Sequence, residues 1–136
     1  MANYNLYKNV KPDSMRSAAS SLRQKLNTAK SKLETFKTSL SDDVWKAGAK
    51  ETLFTAFTTL DSEVYQEILS KLDTADSIAD QVDAYNTARD NANTYRDNLN
   101  SATDKTPQSS ITSWQNGLAA EERKMEQCES TINGLL

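Results

Sequence analysis

The chain has 136 residues, of which 37% are hydrophobic and 26% charged, and its formal net charge is −3. It contains no His, the commonest general base near neutral pH and the commonest transition-metal ligand, and its single Cys cannot form an intrachain disulfide. Only three Gly and two Pro occur, too few for a fold with many tight turns. The composition therefore excludes most hydrolase triads and zinc sites and favours a helical protein.

Charge is unevenly distributed along the chain. Residues 1–40 hold eight Lys or Arg against two acidic residues, a balance of +6, whereas residues 41–136 hold eight basic against seventeen acidic residues, a balance of −9. Charges that flank a helix seam select the partner helix and its orientation, so we expect the basic first helix to pack on the acidic later ones. A nucleic-acid role would need a basic surface that is left free. Because residues 41–136 are acidic overall, we expect no nucleic-acid partner.

The first predicted helix covers residues 12–41. Pro12 suits the first helical position, where its missing N–H has no intrahelical partner, and Asp13 lies where the helix dipole favours an anion. Apolar residues then follow at spacings that alternate between four and three, at Met15, Ala19, Leu22, Leu26, Ala29, Leu33, Phe36 and Leu40. This heptad pattern predicts one apolar stripe along the helix.

A second, very long helix is predicted over residues 43–100. Short polar residues at positions 41–43 end the first helix and are suited to cap the second. Apolar residues then recur every three or four positions, at Leu53, Phe57, Leu60, Val64, Ile68, Leu72, Ala75, Ala79, Val82, Tyr85, Ala88, Ala92, Tyr95 and Leu99. The polar stretch 73–77 is the predicted place for a kink or a break.

The last predicted helix covers residues 108–134, after a polar corner that contains Pro107. Glu121 occupies an apolar position of its heptad, and we expect a splayed or solvent-reached stretch there, because a buried charge without a partner is costly. Gly117 indicates a close approach of a neighbouring element. Cys128 lies in the apolar register, where a small buried thiol is expected and not a nucleophile.

These elements predict a single all-α domain over residues 1–136. We favour elongated antiparallel helical hairpins with one long central helix, in which the first and last helices fold back on its two halves. The alternative is a compact four-helix bundle, which requires the central helix to break near Asp73.

The turn between the first two helices carries the most distinctive local pattern. It reads Asp-Asp-Val-Trp-Lys-Ala-Gly-Ala, with Trp45 and Gly48, and Phe57-Thr-Thr-Leu-Asp61 follows it. A helical hairpin with this Trp and Gly resembles the WXG-type (Esx-like) small helical proteins of Gram-positive type VII secretion, in particular the partner proteins of LXG-domain toxins. The Phe57 and Asp61 pair is similar to the FxxxD motif of those partner proteins.

The resemblance covers residues 12–72 and implies partner-binding or targeting roles for Phe57, Asp61, Trp45 and Gly48. Phe57 and Asp61 lie one helical turn apart on the same face, so a partner groove could contact the ring and the carboxylate together. Core packing is the alternative for Phe57, which also fits the apolar seam, and for Trp45, because a lone indole on a helix usually buries its apolar area.

No catalytic residue, metal ligand or cofactor is predicted, and we expect the protein not to be an enzyme. Neighbouring acidic residues, such as Glu121 and Glu122, point about 100° apart on a helix and do not share a site. The expected partner is a helical protein, either an LXG-type toxin domain or another small WXG-like protein, with homo-oligomerisation left open.

We therefore expect a non-catalytic partner and targeting protein of a type VII secretion system, cytoplasmic before export and exported, if at all, by a route without a signal peptide. Met1–Lys11 lacks the apolar core of a secretory signal, and no apolar stretch reaches the roughly 20 residues of a membrane span. The alternative function is a cytoplasmic, self-associating coiled-coil adaptor or structural protein. A membrane-active effector is disfavoured by the acidic later helices, and no stable membrane insertion is expected.

Overall fold

The computed structural model describes residues 1–39 and 47–136. The predicted turn with Trp45, and the side chains of Ala47 and Lys50, lie outside the described residues. The helices are α1 (Pro12–Ser39), α2 (Ala47–Thr59), a π-helical segment (Leu60–Tyr65), α3 (Gln66–Asn100) and α4 (Gln108–Leu135). The described residues contain no strand, and the predicted all-α class is confirmed.

The helix boundaries follow the proline signals of the sequence. α1 begins at Pro12, and α4 begins directly after Pro107, whose φ of −57° and ψ of 136° are those of extended backbone. α2, the π segment and α3 follow one another without a gap, which confirms the long central helix. α3 is unbroken through residues 73–77, so the break that the four-helix alternative required is absent.

The irregularity of the central helix lies instead in the π segment. There the N–H of Gln66 donates to the carbonyl oxygen of Asp61, an i→i+5 hydrogen bond. Half-buried residues occur around this segment in steps of four, at Phe57, Asp61, Tyr65 and Leu69. In a regular α-helix each step of four drifts by about 40° around the axis, so the wider π turn keeps these residues on one line.

The chain divides into two compact units, which are described separately. The first is Ser14–Asp76, here named the hairpin unit. The second consists of Met1–Asp13 and Ser77–Leu136 and is named the core unit.

In the hairpin unit, α1 packs against the first part of the central helix. Phe36 lies edge-on to Phe57, whereas Arg23 bonds to Asp76, so late residues of α1 meet early residues of the central helix. The two helices are therefore antiparallel, as predicted. Among the described residues of this unit only Ala19 is fully buried.

In the core unit, the second part of α3 packs against α4. Tyr95 lies over Gly117, where an added Cβ would come within 2.5 Å of Cζ of Tyr95, so the close approach predicted from Gly117 is confirmed. Tyr85 belongs to the same buried cluster as Met125 and Cys128, which gives α3 and α4 an antiparallel arrangement. The buried apolar residues of the unit are Ala2, Ala79, Val82, Tyr85, Ala88, Ala92, Met125, Cys128 and Ile132.

Residues 1–11, to which the sequence assigned no element, complete this core. Ala2 is buried, and the hydroxyl of Tyr85 donates to the carbonyl oxygen of Asn3. The ring of Tyr7 meets the ring of Tyr85 edge-on, with 5.0 Å between the centroids. Tyr7 has a φ of 55°, a left-handed conformation uncommon for a residue with a side chain.

The position of Glu121 corrects one expectation. Its side chain is buried among the residues of the core unit and does not lie in a splayed, solvent-reached stretch. Lys124, three residues later on α4, places Nζ 2.6 Å from Oε1 of Glu121 and remains largely exposed itself. The lysine therefore supplies the compensating charge while its own ammonium stays near solvent.

Candidate protein-interaction surface

Basic residues of α1 bond to acidic residues of the central helix inside the hairpin unit. The guanidinium of Arg23 donates to Asp73 and to Asp76, each at 2.6 Å, and Nζ of Lys30 lies 2.6 Å from Oδ1 of Asp61. Hydrogen bonds to Asp76 and Asp73 raise the pKa of Arg23, and the hydrogen bond to Asp61 raises the pKa of Lys30. The packing of a basic first helix on an acidic later helix is thus confirmed for these pairs.

These basic residues belong to a row with a period of seven. Arg16, Arg23, Lys30 and Lys37 lie at the same heptad position, and Nζ of Lys37 lies 5.1 Å from the centroid of the Phe54 ring. A cation over an aromatic ring is attracted by the electrons of the ring face. The row therefore fixes which edge of α1 faces the central helix.

Two of the four predicted site residues, Phe57 and Asp61, lie against α1. Phe57 is half-buried and meets Phe36 at 88°, with ring centroids 6.3 Å apart, while Asp61 bonds to Lys30. The structure thus brings the two residues together on one line of the central helix. Both have contacts within the chain, so the motif contributes to the packing of the hairpin unit.

The other two predicted site residues give less information. Trp45 lies outside the described residues. Gly48, in the first turn of α2, is exposed, and an added Cβ there would meet nothing within 4 Å. No close approach to a described residue therefore accounts for a glycine at this position.

One edge of the α1 apolar stripe is left uncovered. Ala19, Leu26 and Leu33 are buried or half-buried, whereas Leu22 and Phe36 remain 49% and 48% exposed. The exposed residues come three positions after covered ones, which is a rotation of about 60° around the helix axis. Only about half of the apolar stripe of α1 is therefore covered by the central helix.

The central helix also leaves one edge of its stripe uncovered. Tyr65, Leu69 and Leu72 are half-buried, whereas Val64 and Ile68 are 43% and 37% exposed. Val64 and Ile68 belong to the apolar seam that the sequence predicted. The seam is present, but the line of residues that contacts α1, here named the contact line, lies beside it. The shift follows from the π segment, which the apolar spacing did not reveal.

The two uncovered edges lie on the same side of the hairpin unit. Leu22 follows Ala19 by three positions, and Ile68 follows Tyr65 by three, so both are displaced from the contact line in the same rotational sense. Because the helices are antiparallel, equal rotations bring both edges to one side. We name the resulting surface the open face; its residues are Leu22, Ala29, Phe36, Val64 and Ile68.

Charged residues flank the open face, and the sign of their net charge differs between its two helices. Lys25 and Lys32 occupy the next row outward on α1 and are exposed. On the central helix, a groove beside Val64 and Ile68 is also lined by Glu63, Glu67 and Lys71. The α1 edge is therefore basic, and the other edge carries an excess of one negative charge.

Four titratable residues of the core unit take part in its packing, namely Cys128, Tyr4, Glu122 and Arg96. Burial raises the pKa of the Cys128 thiol, which disfavours the reactive thiolate. Tyr4 donates a 2.8 Å hydrogen bond to Glu122, and Arg96 lies 4.7 Å from the centroid of its ring. Within residues 1–39 and 47–136, no group of three or more acidic or Cys side chains is placed to hold a metal ion.

Comparison of the chain with protein-family models, with curated proteins and with solved structures finds no match. In the described part of the chain, no helix has both the length and the apolar character of a bilayer span. The open face is the feature of the hairpin unit that its own packing leaves unexplained.

Proposed function

We propose that this protein is a non-catalytic partner protein that binds another helical protein through the open face of its hairpin unit. The observation that carries the proposal is the contrast in burial within that unit. Ala19 is buried, whereas Leu22, Phe36, Val64 and Ile68 each leave more than a third of their surface exposed. Contiguous apolar surface rimmed by polar residues is typical of protein–protein interaction sites.

The shape of the open face favours a helical partner. Two antiparallel helices present a long groove between their side-chain ridges, and the ridges of another helix fit such a groove. The apolar residues lie at three- and four-residue spacings, which is the pattern by which an amphipathic helix is held. Lys25 and Lys32 on one rim, with Glu63 and Glu67 on the other, would orient that helix.

The more specific part of the proposal is a role in type VII secretion, with a helical LXG-type toxin domain or a small WXG-like protein as the partner. Its support is the resemblance carried by Trp45, Gly48, Phe57 and Asp61. Phe57 and Asp61 occupy one line of the central helix, one turn apart. A protein that pairs with a cargo and presents it for export acts by assembly and needs no reaction centre.

Export of the cargo tests the targeting role, and the chain offers a matched control. Asp61→Asn and Lys30→Met both remove the same ion pair, but only the first changes the motif. We expect Asp61→Asn, alone or with Phe57→Ala, to reduce cargo export, and Lys30→Met to leave it near wild type. Equal loss in both variants would show that the hairpin packing matters and the motif does not.

Purification from native cells separates this function from that of a self-associating cytoplasmic adaptor. The proposal predicts that a secreted helical cargo co-purifies with the wild-type chain and is lost from a Leu22→Gln/Ile68→Gln variant. Ser31→Gln is the control, because Ser31 is exposed on α1 and lies half a turn around the helix axis from Leu22. Recovery of cytosolic proteins or of the chain itself, without cargo, would favour the adaptor.

A further inference from the structure

We infer that residues 1–11, here named the strap, form a releasable cover on the core unit that opens and closes while α3 and α4 stay folded. The closed strap shields the groove between these two helices, including the thiol of Cys128, and the open strap exposes it. Segments that open on their own have few buried apolar contacts, and this is true of the strap. The device belongs to the core unit and does not depend on the function proposed for the hairpin unit.

Little of the strap is buried. Of its eleven residues, all of which the structure describes, only Ala2 is fully buried. Its turns are closed by local hydrogen bonds, in which the N–H of Leu6 donates to the carbonyl oxygen of Asn3 and the N–H of Val10 donates to that of Tyr7. Because these bonds lie inside the strap, they can persist when it leaves the helices.

Hydrogen bonds of tyrosine hydroxyls hold the strap on both helices. Tyr4 of the strap donates a 2.8 Å hydrogen bond to Glu122 of α4, and the guanidinium carbon of Arg96 of α3 lies 4.7 Å from the centroid of the Tyr4 ring. The hydroxyl of Tyr85 of α3 donates to the carbonyl oxygen of Asn3. Both hydrogen bonds are only part-buried, so water can replace the lost partners when the strap lifts.

The backbone of Tyr7 adds strain that favours opening. Its φ of 55° lies in the left-handed region, which is unfavourable for a residue with a Cβ and persists only where the surroundings fix it. The edge-on contact between the rings of Tyr7 and Tyr85, with centroids 5.0 Å apart, provides that support. When the strap lifts, Tyr7 can return to the common backbone regions, so the strain lowers the free-energy cost of opening.

The helices have contacts with each other that involve no strap residue. Tyr95 of α3 lies over Gly117 of α4, and Met125 of α4 is buried in one cluster with Ala88 and Ala92 of α3. Loss of the strap therefore leaves an apolar interface between α3 and α4. Opening breaks the contacts of the strap and does not require the core unit to unfold.

Cys128 lies where the strap meets the helices. It is only 8% exposed and belongs to the buried cluster that contains Ala2 of the strap and Tyr85 of α3. Burial, followed by the negative charges of Glu129 and Cys128, raises the pKa of Tyr7, in keeping with a short distance between Tyr7 and the thiol. Lifting the strap removes Ala2 and Tyr7 from this cluster, so the reactivity of the thiol reports the opening of the strap.

The rate at which Cys128 of the full chain reacts with an aromatic disulfide reagent tests the inference. The thiolate attacks the disulfide of the reagent, forms a mixed disulfide and releases a coloured thiolate, which is measured. If the strap recloses faster than the thiol reacts, the observed rate is that of an accessible thiol multiplied by the open fraction. We expect the wild type to react at least about tenfold more slowly than the urea-unfolded chain, yet faster than its global unfolding allows.

Three variants separate opening of the strap from unfolding of the core unit. Tyr4→Phe removes a hydrogen bond between the strap and α4 and should raise the rate about fivefold. Tyr65→Phe, in the hairpin unit, is the matched control and should leave the rate unchanged. Gly117→Ala should also leave it unchanged although it destabilises the helix pair, because opening does not separate α3 from α4. Circular dichroism checks that each variant is folded.

The dependence of the rate on urea provides a second measurement. The effect of urea on an equilibrium increases with the surface that is exposed. Opening of the strap exposes much less surface than global unfolding, so the rate should rise only shallowly at low urea and steeply near the unfolding transition.

Several results would overturn the inference. A wild-type thiol that reacts as fast as that of the unfolded chain would show that the strap does not cover it. A urea dependence equal to that of global unfolding, or acceleration by Gly117→Ala in proportion to its lost stability, would show that the thiol is reached only by unfolding. Equal rates in Tyr4→Phe and Tyr65→Phe would also contradict it. Because the open face takes no part in these measurements, each of these results leaves the proposed function intact.

Discussion

The carboxylate of Asp61 in the π segment lies 2.6 Å from the ammonium of Lys30 in α1. Both side chains are about two-fifths exposed, at 41% each, so solvent screens the pair. Asp61, which resembles part of an export motif, therefore also links the central helix to α1 within the hairpin unit. This double role is the reason why each test of the motif needs a control on the Lys30 side.

A double-mutant cycle should find little stability in this ion pair. With Asp61→Asn and Lys30→Met we expect a coupling free energy of at most about 1 kcal/mol, because exposed pairs gain little over their hydrated charges. Urea unfolding of the four proteins provides the measurement. A coupling of several kcal/mol would mean that the pair is more desolvated than its exposure indicates.

Replacement of Gly117 should destabilise the core unit although alanine is the better helix former. The new Cβ would lie 2.5–2.8 Å from three atoms of the Tyr95 ring. Such overpacking costs about 1–3 kcal/mol, against a gain of about 1 kcal/mol in helix propensity, so we expect a net loss of about 1–2 kcal/mol. Thermal or urea unfolding of Gly117→Ala provides the measurement.

Gly134→Ala is the matched control for that experiment, because an added Cβ there meets nothing within 4 Å. It should be neutral or stabilising. The cost of Gly117→Ala should also shrink in a Tyr95→Ala background, where the ring is gone. If Gly117→Ala proved as stable as Gly134→Ala, the close packing of Tyr95 on Gly117 would be incorrect.

The attachment of residues 1–11 should weaken in alkali through Tyr4. Burial, followed by the hydrogen bond to Glu122 and its negative charge, raises the pKa of Tyr4 to about 12 from 10.0. The folded state thus favours the neutral phenol. Its stabilisation is fully present below about pH 10 and is lost as the pH rises through about 12.

Tyr4→Phe isolates this contribution. Wild type should be the more stable of the two proteins near neutral pH, and its advantage in the free energy of unfolding should fall as the pH rises above about 10. Burial also raises the pKa values of Tyr7 and Tyr85, but both proteins keep those residues, so their effect cancels in the difference. A difference that stays constant with pH would contradict the raised pKa of Tyr4.

The sequence predicted the helices well because their signals are local. Heptad spacing and the two prolines placed α1 and α4 to within two residues of their described ends, and Gly117 indicated the contact that Tyr95 makes. The row of Arg16, Arg23, Lys30 and Lys37 was equally visible as a period of seven. That row could have predicted which edge of α1 faces the central helix.

The rest depends on interactions that apolar spacing does not encode. Leu22 and Leu26 are alike in hydropathy, so spacing alone cannot say which of them is covered. The π segment shifts the contact line from Val64 to Tyr65. In the sequence this segment is marked only by residues spaced four apart, which a regular α-helix can also contain. A buried charge at Glu121 is tolerable because Lys124, three residues later, forms an ion pair with it. Apolar spacing alone does not reveal this pair.

Site-specific photo-cross-linking in native cells tests the central claim, that the open face binds a helical protein, most directly. A photoreactive amino acid placed at Ile68 should give a product that mass spectrometry identifies as a helical cargo or a second copy of this chain. The same group at Ser31, which lies on α1 half a turn around the helix axis from Leu22, should give none. Equal products from both positions, or no product from Ile68, would contradict the account.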